Sequence, residues 1–483
     1  MKVIDLAAPL ISVVAYYFLI KYLIFVTILN EIVRTIVSFI LQYKYKTKIK
    51  LVPDGTDAIW RPNRSMAVFT LRINKIITED QLLNHFEKDI LLLKESNGSG
   101  KRVYEKLEHT LVTKFGYSCW KQDNNFNIKN HCKTLENKVY YKTDLSSILQ
   151  KCEEEMGGDK PQWEFLILPQ YQEAAEVITS SIVLMRFHHA YMDAISSVMM
   201  GSKITSNFTY YIDPCETPKL ISTWEKFVFY SKAFILFPYI SLIQLFSKFR
   251  SFWPKNSFPN QSQSCNYTWT KPIELSQMRE IYKTFKNASI PVIIENAFIS
   301  AAKEVLPIER LPKNWFIGEL AALFPYKQER LQNRFSCFSY NIDSSSENEM
   351  ERLEVSGKEA KEVATGPWIL ITFFLLKVFG RFPTFFAHLA MMGESNTLVT
   401  SYLPSSMTRA KLFGNWDVLD AWGFPPHGNE TRVFICCNMY CNSFKVMASA
   451  DTSLLTENEL REIVSSIPEI VCRWSAQLNE KIE

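Results

Sequence analysis

The chain has 483 residues, more than a single hydrophobic core usually serves, and this length predicts two domains with accessory segments. A composition of 47% apolar and 22% charged residues is typical of a globular protein. The net charge of +4 comes without a basic helix or stripe and argues against nucleic-acid binding. Ten cysteines at irregular spacings, without a paired CxxC, predict reduced thiols and no metal site.

The N-terminal segment predicts contact with a membrane. Residues 6–29 are apolar apart from interruptions such as Lys21, and such a length can cross a hydrocarbon core. A cleaved signal peptide is the alternative, but the segment is too long and no small-residue cleavage pattern follows it. Glu31 and Arg34 interrupt a further apolar stretch, which indicates an interfacial amphipathic helix. We therefore assign residues 1–43 to a transmembrane or membrane-inserted helix with an interfacial continuation.

Charge flanking this segment predicts its orientation. The N-terminal side offers only Lys2, whereas four lysines follow the apolar stretch closely: Lys44, Lys46, Lys48 and Lys50. Because positive charge is retained on the cytosolic side, the body of the protein is predicted to be cytosolic, on an endoplasmic reticulum or lipid droplet membrane. Several Asn-x-Ser/Thr sequons point weakly to the lumen, although sequons also arise by chance in a chain of this size.

Residues 51–205 alternate strand-like and helix-like patterns, which predicts an α/β domain. Strands are predicted at residues 67–73, 163–168 and 178–187, and helices at 78–93, 144–156 and 194–200. Residues 206–262 form a crossover rich in Phe, Ile and Leu. Within it, residues 227–246 carry Lys232 and Pro238, so they fit either a membrane-touching helix or a buried connecting helix.

A second globular region is predicted for residues 263–483. Helices are predicted in it at residues 290–305 and 457–478. Strands are predicted at residues 335–342, 432–438 and 444–450. Residues 368–392 form another apolar block, interrupted by Lys377, Gly380, Arg381 and Pro383, that also suits a membrane surface.

The strongest chemical signal is the sequence His188-His189-Ala-Tyr-Met-Asp193, directly after the apolar run 182–187. An imidazole with an ordinary pKa of about 6.5 can accept a proton from an alcohol near neutral pH. We predict that His189 is this base and that His188 is a packing neighbour. Asp193 would support the geometry directly, or by bonding to a neighbouring backbone group or arginine. No third metal ligand, GxSxG elbow, phosphate loop or dinucleotide fingerprint is present.

These residues resemble the HHxxxDG motif of the acyl-CoA-dependent acyltransferase superfamily, with Ala194 in the place of the glycine. Flanking segments narrow the resemblance to the wax ester synthase/diacylglycerol acyltransferase family. They span residues 55–58, 120–131, 161–164, 292–295, 333–336, 398–405 and 445–451. The family's opening element is matched by Gly55-Thr-Asp57-Ala58, and its PLWE element by Pro161-Gln-Trp163-Glu164. Its GN-x-F-S element is matched by Asn333-Arg-Phe335-Ser.

The resemblance implies two chloramphenicol-acetyltransferase-like domains, 51–205 and 263–483, joined by the 206–262 crossover and enclosing a tunnel. It implies direct acyl transfer from acyl-CoA, with His189 deprotonating the acceptor and Asp193 shaping the loop. The expected partners are acyl-CoA as co-substrate, a membrane, and a lipid alcohol, either a fatty alcohol giving a wax ester or diacylglycerol giving triacylglycerol. No further cofactor and no metal are expected. A catalytically impaired lipid-binding or scaffold protein, and transfer to an amine or small alcohol, remain alternatives.

Overall fold

The computed structural model describes residues 18, 21–46, 48–61, 65–96, 98–154, 156, 159–173, 180–207, 222–247, 253, 264–323, 326, 330–391, 396–403, 406–427 and 432–480. The helices in these ranges are α1 (Lys21–Tyr45), α2 (Gly55–Ala58), α3 (Glu79–Phe86), α4 (Lys142–Cys152), α5 (Ala194–Gly201), α6 (Thr223–Ser247), α7 (Leu275–Thr284), α8 (Ile290–Val305), α9 (Glu349–Ala364), α10 (Trp368–Phe379), α11 (Thr384–Met391) and α12 (Glu457–Glu480).

The strands fall into three sheets. They are β1 (Ile49–Leu51), β2 (Met66–Ile73), β3 (His109–Lys114), β4 (Tyr117–Gln122), β5 (Cys132–Thr134), β6 (Val139–Tyr140), β7 (Trp163–Tyr171), β8 (Ser180–His188), β9 (Thr205–Ser206), β10 (Cys265–Trp269), β11 (Ile273–Glu274), β12 (Asn314–Ala322), β13 (Phe335–Asp343), β14 (Leu398–Leu403), β15 (Lys411–Leu412), β16 (Trp416–Phe424), β17 (Val433–Tyr440) and β18 (Ser443–Asp451).

Two large mixed sheets carry the body of the molecule. The first has the order β5-β7-β8-β2-β16-β15-β9 with β6 beside β7, and the second has the order β10-β18-β17-β14-β12-β13 with β11 beside β18. A small sheet, β1-β4-β3, stands apart from both. Parallel and antiparallel pairs occur in each large sheet, as where β14 runs parallel to β17 and β17 antiparallel to β18. The predicted α/β class is confirmed.

Burial explains why the central strands were recognisable in the sequence. β8 buries every residue except the half-buried Arg186, and β17 buries all of its residues. Strands covered on both faces read as continuous apolar runs of this kind. In α12, the buried residues recur every three or four positions and include Leu460, Ile463, Val464, Ile467, Val471, Trp474 and Leu478. This stripe packs against α7 and α8 to form the core behind the second sheet.

Most predicted elements match the structure within a few residues, and α8 has the predicted bounds. The predicted helix at residues 78–93 is instead α3 followed by a π-helical turn, Glu87–Leu91. The capping box of Thr78 and Gln81 fixes its beginning. The predictions omitted all the strands of two or three residues, and also β3, β4, β10, β12, β14 and β16.

One exchange between the halves of the chain was not predicted. β15 and β16 belong by sequence to the region 263–483, yet both are strands of the first sheet, where β16 pairs antiparallel with β2. Three polar contacts then hold β16 to the second sheet: Lys445 pairs with Asp420, the Asn438 amide donates to the Ala421 carbonyl, and the Tyr440 hydroxyl donates to the Val418 carbonyl at 2.6 Å. The first sheet is therefore completed by the C-terminal half of the chain.

The apolar segments are helical. α1 runs without a break from Lys21 to Tyr45 and is long and apolar enough to cross a membrane. The structure thus has one helix where the sequence predicted a span followed by an interfacial helix, although residues 6–17 and 19–20 lie outside the described residues. α6 contains Pro238 and packs one face on α10, through Leu236, Phe237 and Ile240. The other face of α6 is exposed, so α6 is not a wholly buried connecting helix.

Two glycines allow α2 and α10 to meet backbone to backbone. A Cβ atom on Gly55 would overlap the carbonyl oxygen of Lys377, and one on Gly380 would overlap the carbonyl oxygen of Gly55. Neither obstacle is a flexible side chain, so relief would require a backbone shift. The contact fixes α10 directly against the helix that bears Asp57.

Gly55→Ala is expected to lower the free energy of unfolding by about 1 to 3 kcal/mol, because the added methyl overpacks this contact. The matched control is Gly201→Ala at the end of α5, where an added Cβ meets no atom within 4 Å. We expect the control to change stability by no more than about 0.5 kcal/mol. The measurement is the urea midpoint of detergent-solubilised protein, and equal midpoints for the two variants would contradict the close approach.

Candidate active site

The two histidines lie where β8 leaves the first sheet. In the pairing of β2 with β8, His188 is opposite Met66. The His188 N–H donates to the Gln162 carbonyl at 2.8 Å, and the His189 N–H donates to the Ser65 carbonyl at 2.7 Å. Backbone bonds from both flanking strands therefore determine where the chain turns and where each imidazole begins.

His188 stabilises the turn itself. Its side chain is buried, and its Nδ1 accepts a hydrogen bond from the Ala190 N–H at 3.2 Å. Its carbonyl accepts a hydrogen bond from the Tyr191 N–H at 3.0 Å. These contacts suit the predicted packing role, and they leave His189 as the imidazole that faces the adjacent cavity.

Asn333, which immediately precedes Arg334 and β13, holds the ring of His189. The His189 Nδ1 lies 2.9 Å from the Asn333 Oδ1. The Asn333 Nδ2 lies 2.8 Å from the Asp57 Oδ1 and 2.9 Å from the His189 carbonyl, and both of these groups only accept hydrogen bonds. The NH₂ group of Asn333 must therefore point at them, which leaves its oxygen facing His189.

This arrangement specifies the tautomer of His189. Because the Asn333 oxygen can only accept, the His189 Nδ1 carries the proton, and Nε2 keeps its lone pair. Trp60 stacks on the imidazole with ring centroids 4.2 Å apart, and Phe335 meets it edge-on at 5.9 Å. Desolvation by these surroundings lowers the pKa of His189 to about 4, although the hydrogen bond to Asn333 opposes the shift. The ring is neutral at physiological pH.

Asp57 fixes Asn333 in turn. The Asp57 Oδ1 also accepts the backbone N–H of Asn333 at 3.0 Å, and Thr56 donates its hydroxyl to the Asn333 carbonyl at 2.7 Å. The Asp57 Oδ2 pairs with Lys106 at 2.7 Å, and the same ammonium reaches the Tyr191 carbonyl at 2.7 Å. Burial raises the pKa of Asp57, and Lys106 counteracts that effect. A buried chain therefore runs from Lys106 through Asp57 and Asn333 to His189.

Asp193 supports the loop rather than the imidazole. Its Oδ1 caps α5 by accepting the Ser196 N–H at 2.8 Å. Its Oδ2 accepts the Arg334 N–H and the Tyr326 hydroxyl, each at 2.7 Å. Of the two geometries that the sequence left open for Asp193, the structure has the bond to a neighbouring backbone group. The carboxylate thus joins the histidine loop to the residue next to Asn333.

Ala194 fits its position without strain. It is the first residue of α5 and is absent from the non-glycine residues with positive φ. The glycine of the motif is therefore not required here for a left-handed backbone. The Ala194 methyl group lines the cavity beside His189.

A narrow cavity between the two large sheets contains His189. Its volume is about 90 Å³, and β2, β12, β14 and β16 contribute to its wall. The lining is largely apolar, with a few polar groups from His189, Asp193, Ser197, Tyr326, Ser401 and Tyr402. Small-molecule sites commonly have this character, an apolar wall with a few polar groups.

A larger groove of about 700 Å³ lies between α4 and β7, away from the histidine motif. Its charged residues are largely paired with each other, as where Glu164 accepts from Arg186 at 2.8 Å and lies 3.4 Å from Lys133. It contains neither histidine of the motif. We therefore place the candidate active site in the smaller cavity.

No sequence pattern indicated that Asp57 and Asn333 are connected to His189. Asn333 is 144 residues from His189 and 276 residues from Asp57 along the chain. Both lie in segments that carry the family resemblance, which was the available signal, but no spacing rule links them. The stacking of Trp60 on His189 was not predicted either, because no spacing rule links these two residues.

Comparison with known proteins supports the fold. No protein-family model and no curated protein sequence matches the chain. Among solved structures, the wax ester synthase/diacylglycerol acyltransferase from Marinobacter aquaeolei VT8 is similar with a TM-score of 0.56 at 11% identity, covering 89% of this chain and 99% of that one. The trichothecene 15-O-acetyltransferase from Fusarium sporotrichioides gives 0.57 at 10% identity, covering 88% and 95%.

The epimerization domain from the third module of tyrocidine synthetase B gives a TM-score of 0.52 at 10% identity, covering 88% of this chain and 94% of that one. Identities this low bear on the fold alone. The expected two-domain fold, chloramphenicol-acetyltransferase-like and shared with acyltransferases, is confirmed.

Proposed function

We propose that the protein is a membrane-anchored O-acyltransferase that moves a long acyl chain from acyl-CoA to a lipid alcohol. The acceptor is a fatty alcohol, giving a wax ester, or diacylglycerol, giving triacylglycerol. The observation that carries the proposal is a neutral His189 with a free Nε2, facing an apolar cavity between the two domains. Two of the structural neighbours are named acyltransferases, which supports the reaction class. Acyl-CoA is the co-substrate, and the reaction needs no other cofactor.

In the proposed reaction His189 is the general base. Its Nε2 accepts the proton of the acceptor hydroxyl while the oxygen attacks the thioester carbonyl carbon. The tetrahedral oxyanion then collapses, the C–S bond breaks, and the coenzyme A thiolate takes the proton back from the imidazolium. Ester and free coenzyme A are formed directly, without an acyl-enzyme.

Asn333 is a positioning residue in this scheme. Its oxygen holds the Nδ1 proton, so that Nε2 remains the accepting nitrogen, and its dipole stabilises the imidazolium as it forms. The hydrogen-bonded chain behind Asn333 ends in the ion pair of Asp57 and Lys106. Burial is the main cause of the low pKa of His189, the charge of Lys106 lowers this pKa further, and the hydrogen bond to Asn333 opposes the shift. We therefore expect His189 to accept the proton in the same step in which the hydroxyl oxygen attacks the thioester.

Two candidates exist for the transferred acyl group, a long chain and a short one. The cavity beside His189 is small, at about 90 Å³, whereas sites for small molecules commonly measure about 300 to 1,000 Å³. A long acyl chain fits only if lining side chains move apart. A short-chain acyl-CoA is therefore the second candidate donor, favoured by the small volume of the cavity. The apolar membrane segments favour lipid substrates instead.

For localisation we propose an endoplasmic reticulum or lipid droplet membrane, with the catalytic domains in the cytosol. The support is α1 and the lysines that follow its apolar stretch. This side of the membrane also gives access to acyl-CoA.

Replacing the base is the first test. Membranes containing the protein are supplied with acetyl-, octanoyl- and oleoyl-CoA and with fatty alcohol, diacylglycerol and small alcohols, and the products are identified by mass. We expect His189→Ala to lower the rate by about 10² to 10⁴, the usual contribution of general-base catalysis. The control is His85→Ala, a partly exposed histidine on α3.

Unchanged product formation by the His189→Ala protein would remove the proposed base. If no donor and acceptor pair gives an ester, the enzyme class is wrong and a lipid-binding or scaffold protein becomes the better reading.

Asn333→Ala tests the positioning role. We expect kcat to fall about 10-fold to 100-fold, the usual cost of losing a group that orients a catalytic side chain, with the KM for acyl-CoA nearly unchanged. The neighbouring Arg330→Ala is the control, since Arg330 is exposed. A rise in KM at constant kcat would indicate a role in binding instead.

The pH profile tests the state of His189. Burial disfavours the charged imidazole and lowers its pKa to about 4, so the neutral base persists as the pH falls through 6.5. We expect kcat/KM to stay level between pH 8 and pH 6 and to show its acid limb well below the ordinary value of about 6.5. Enzyme held at each pH and assayed at pH 7 controls for unfolding. An acid limb at the ordinary histidine value would contradict the assignment.

A further inference from the structure

α1 contacts the protein body through a mixed stripe of polar and apolar residues, and its outward side is apolar. Its buried positions are Asn30, Arg34, Val37 and Leu41, a single stripe at helical spacing. The Asn30 amide and the Arg34 guanidinium donate to the Arg381 carbonyl at 3.1 and 3.0 Å, and Arg34 also reaches the Val52 carbonyl at 3.1 Å. Glu31 accepts from Arg381 at 2.8 Å. The mid-helix polar groups therefore hold α1 against the body.

The outward side of α1 carries large apolar residues. They are Tyr22, Ile24, Phe25, Ile28, Leu29, Ile32, Val33, Ile36, Phe39, Ile40 and Tyr43. A helix at the surface of a water-soluble domain has the opposite arrangement, with its apolar stripe inward. Polar groups directed toward protein and apolar groups directed away from it are typical of helices in contact with lipid.

Four other elements continue this apolar surface: α6, α10, α11 and the β3–β4 turn. Their large exposed apolar residues are Trp224, Phe227, Tyr230, Phe234, Ile235, Phe374, Phe385, Phe386 and Phe115. α6 meets α10 where Phe237 packs on Phe374 with ring centroids 5.7 Å apart. α11 meets the β3–β4 turn where the Thr384 N–H donates to the Gly116 carbonyl at 2.7 Å. We call these exposed residues, together with the outward side of α1, the apolar platform.

Elsewhere in the described part of the chain, exposed large apolar residues occur singly. They are Ile76, Leu92, Tyr141, Tyr282, Ile308 and Val355. Scattered residues of this kind are normal on any protein surface, whereas a contiguous patch marks an interaction site.

We propose that the apolar platform docks into a lipid bilayer, so that α1 acts as one part of a membrane-facing surface and not as a separate anchor. Trp224, Tyr22 and Tyr43 add amphipathic rings of the type that favours the headgroup level. Lys44 at the end of α1, with the lysines that follow it, supplies positive charge for anionic headgroups. A protein partner would not require that charge beside so many exposed aliphatic side chains.

The platform is rigidly connected to the candidate active site. Arg381, which holds α1, also donates to the Pro53 carbonyl at 3.0 Å, and Gly380 contacts Gly55 backbone to backbone. α2 starts at Gly55 and carries Asp57, which holds Asn333. Docking would therefore place the cavity at a constant depth relative to the lipid surface.

Cysteine accessibility tests the docking without any need for turnover, so its failure is distinguishable from failure of the proposed reaction. Phe385→Cys and Phe227→Cys are made in a Cys472→Ser background, because Cys472 is exposed. The full chain is synthesised with vesicles of phosphatidylcholine and phosphatidylserine and treated with a membrane-impermeant maleimide. The matched control is Ile308→Cys, an exposed residue outside the platform.

We expect both platform cysteines to react about tenfold or more slowly than the Ile308→Cys thiol, since an apolar environment disfavours the reactive thiolate. Equal rates at all three positions would overturn the proposal, because α1 alone would then hold the protein. Disulfide-linked dimers through the Phe385→Cys thiol at a lipid-independent yield would also overturn it, by identifying a second copy as the occupant.

Discussion

The amide of Asn333 is the contact on which the candidate site depends. Its two ends face chemically different partners, since Asp57 can only accept a hydrogen bond and the neutral ring of His189 must donate one. This one side chain therefore determines the proton position on His189, and it comes from the C-terminal half of the chain. Asp193 strengthens the same junction by accepting the N–H of Arg334. The two domains are joined at the point where the chemistry is proposed, so loosening the junction would also misplace the base.

Local patterns predicted the parts of the structure that local physics controls. The apolar run of β8 indicated a central strand that ends at His188, and the helix predicted at residues 290–305 has the bounds of α8. The pairing of Asn333 with His189 could not be predicted, because hydrogen bonds between residues far apart leave no periodicity in a sequence. α1 shows the same limit. Glu31 and Arg34 were correctly recognised as interrupting the apolar stretch, but their partner, Arg381, lies 350 residues from Glu31 along the chain.

α2 connects the proposed membrane-docking surface to the candidate active site. This single helical turn has Gly55 against α10 at one end, and its Asp57 holds Asn333. Its cap, Asp54, accepts from Thr56, so the orientation of the turn is fixed locally as well as by its neighbours. A rigid turn at this position explains geometrically why two apolar helices, α1 from the N-terminal half of the chain and α10 from the C-terminal half, lie near one cavity.

The placement of β16 has a consequence for synthesis. β2 cannot pair with β16 until the ribosome has passed Phe424, the last residue of β16. At about 5 to 20 residues per second, the roughly 350 residues between β2 and the end of β16 take about 20 to 70 seconds to be synthesised. During that interval an apolar strand edge is open to misassociation, while α1 has already emerged. Early capture of α1 by a membrane would hold the nascent chain in place while the sheet waits for its missing strand.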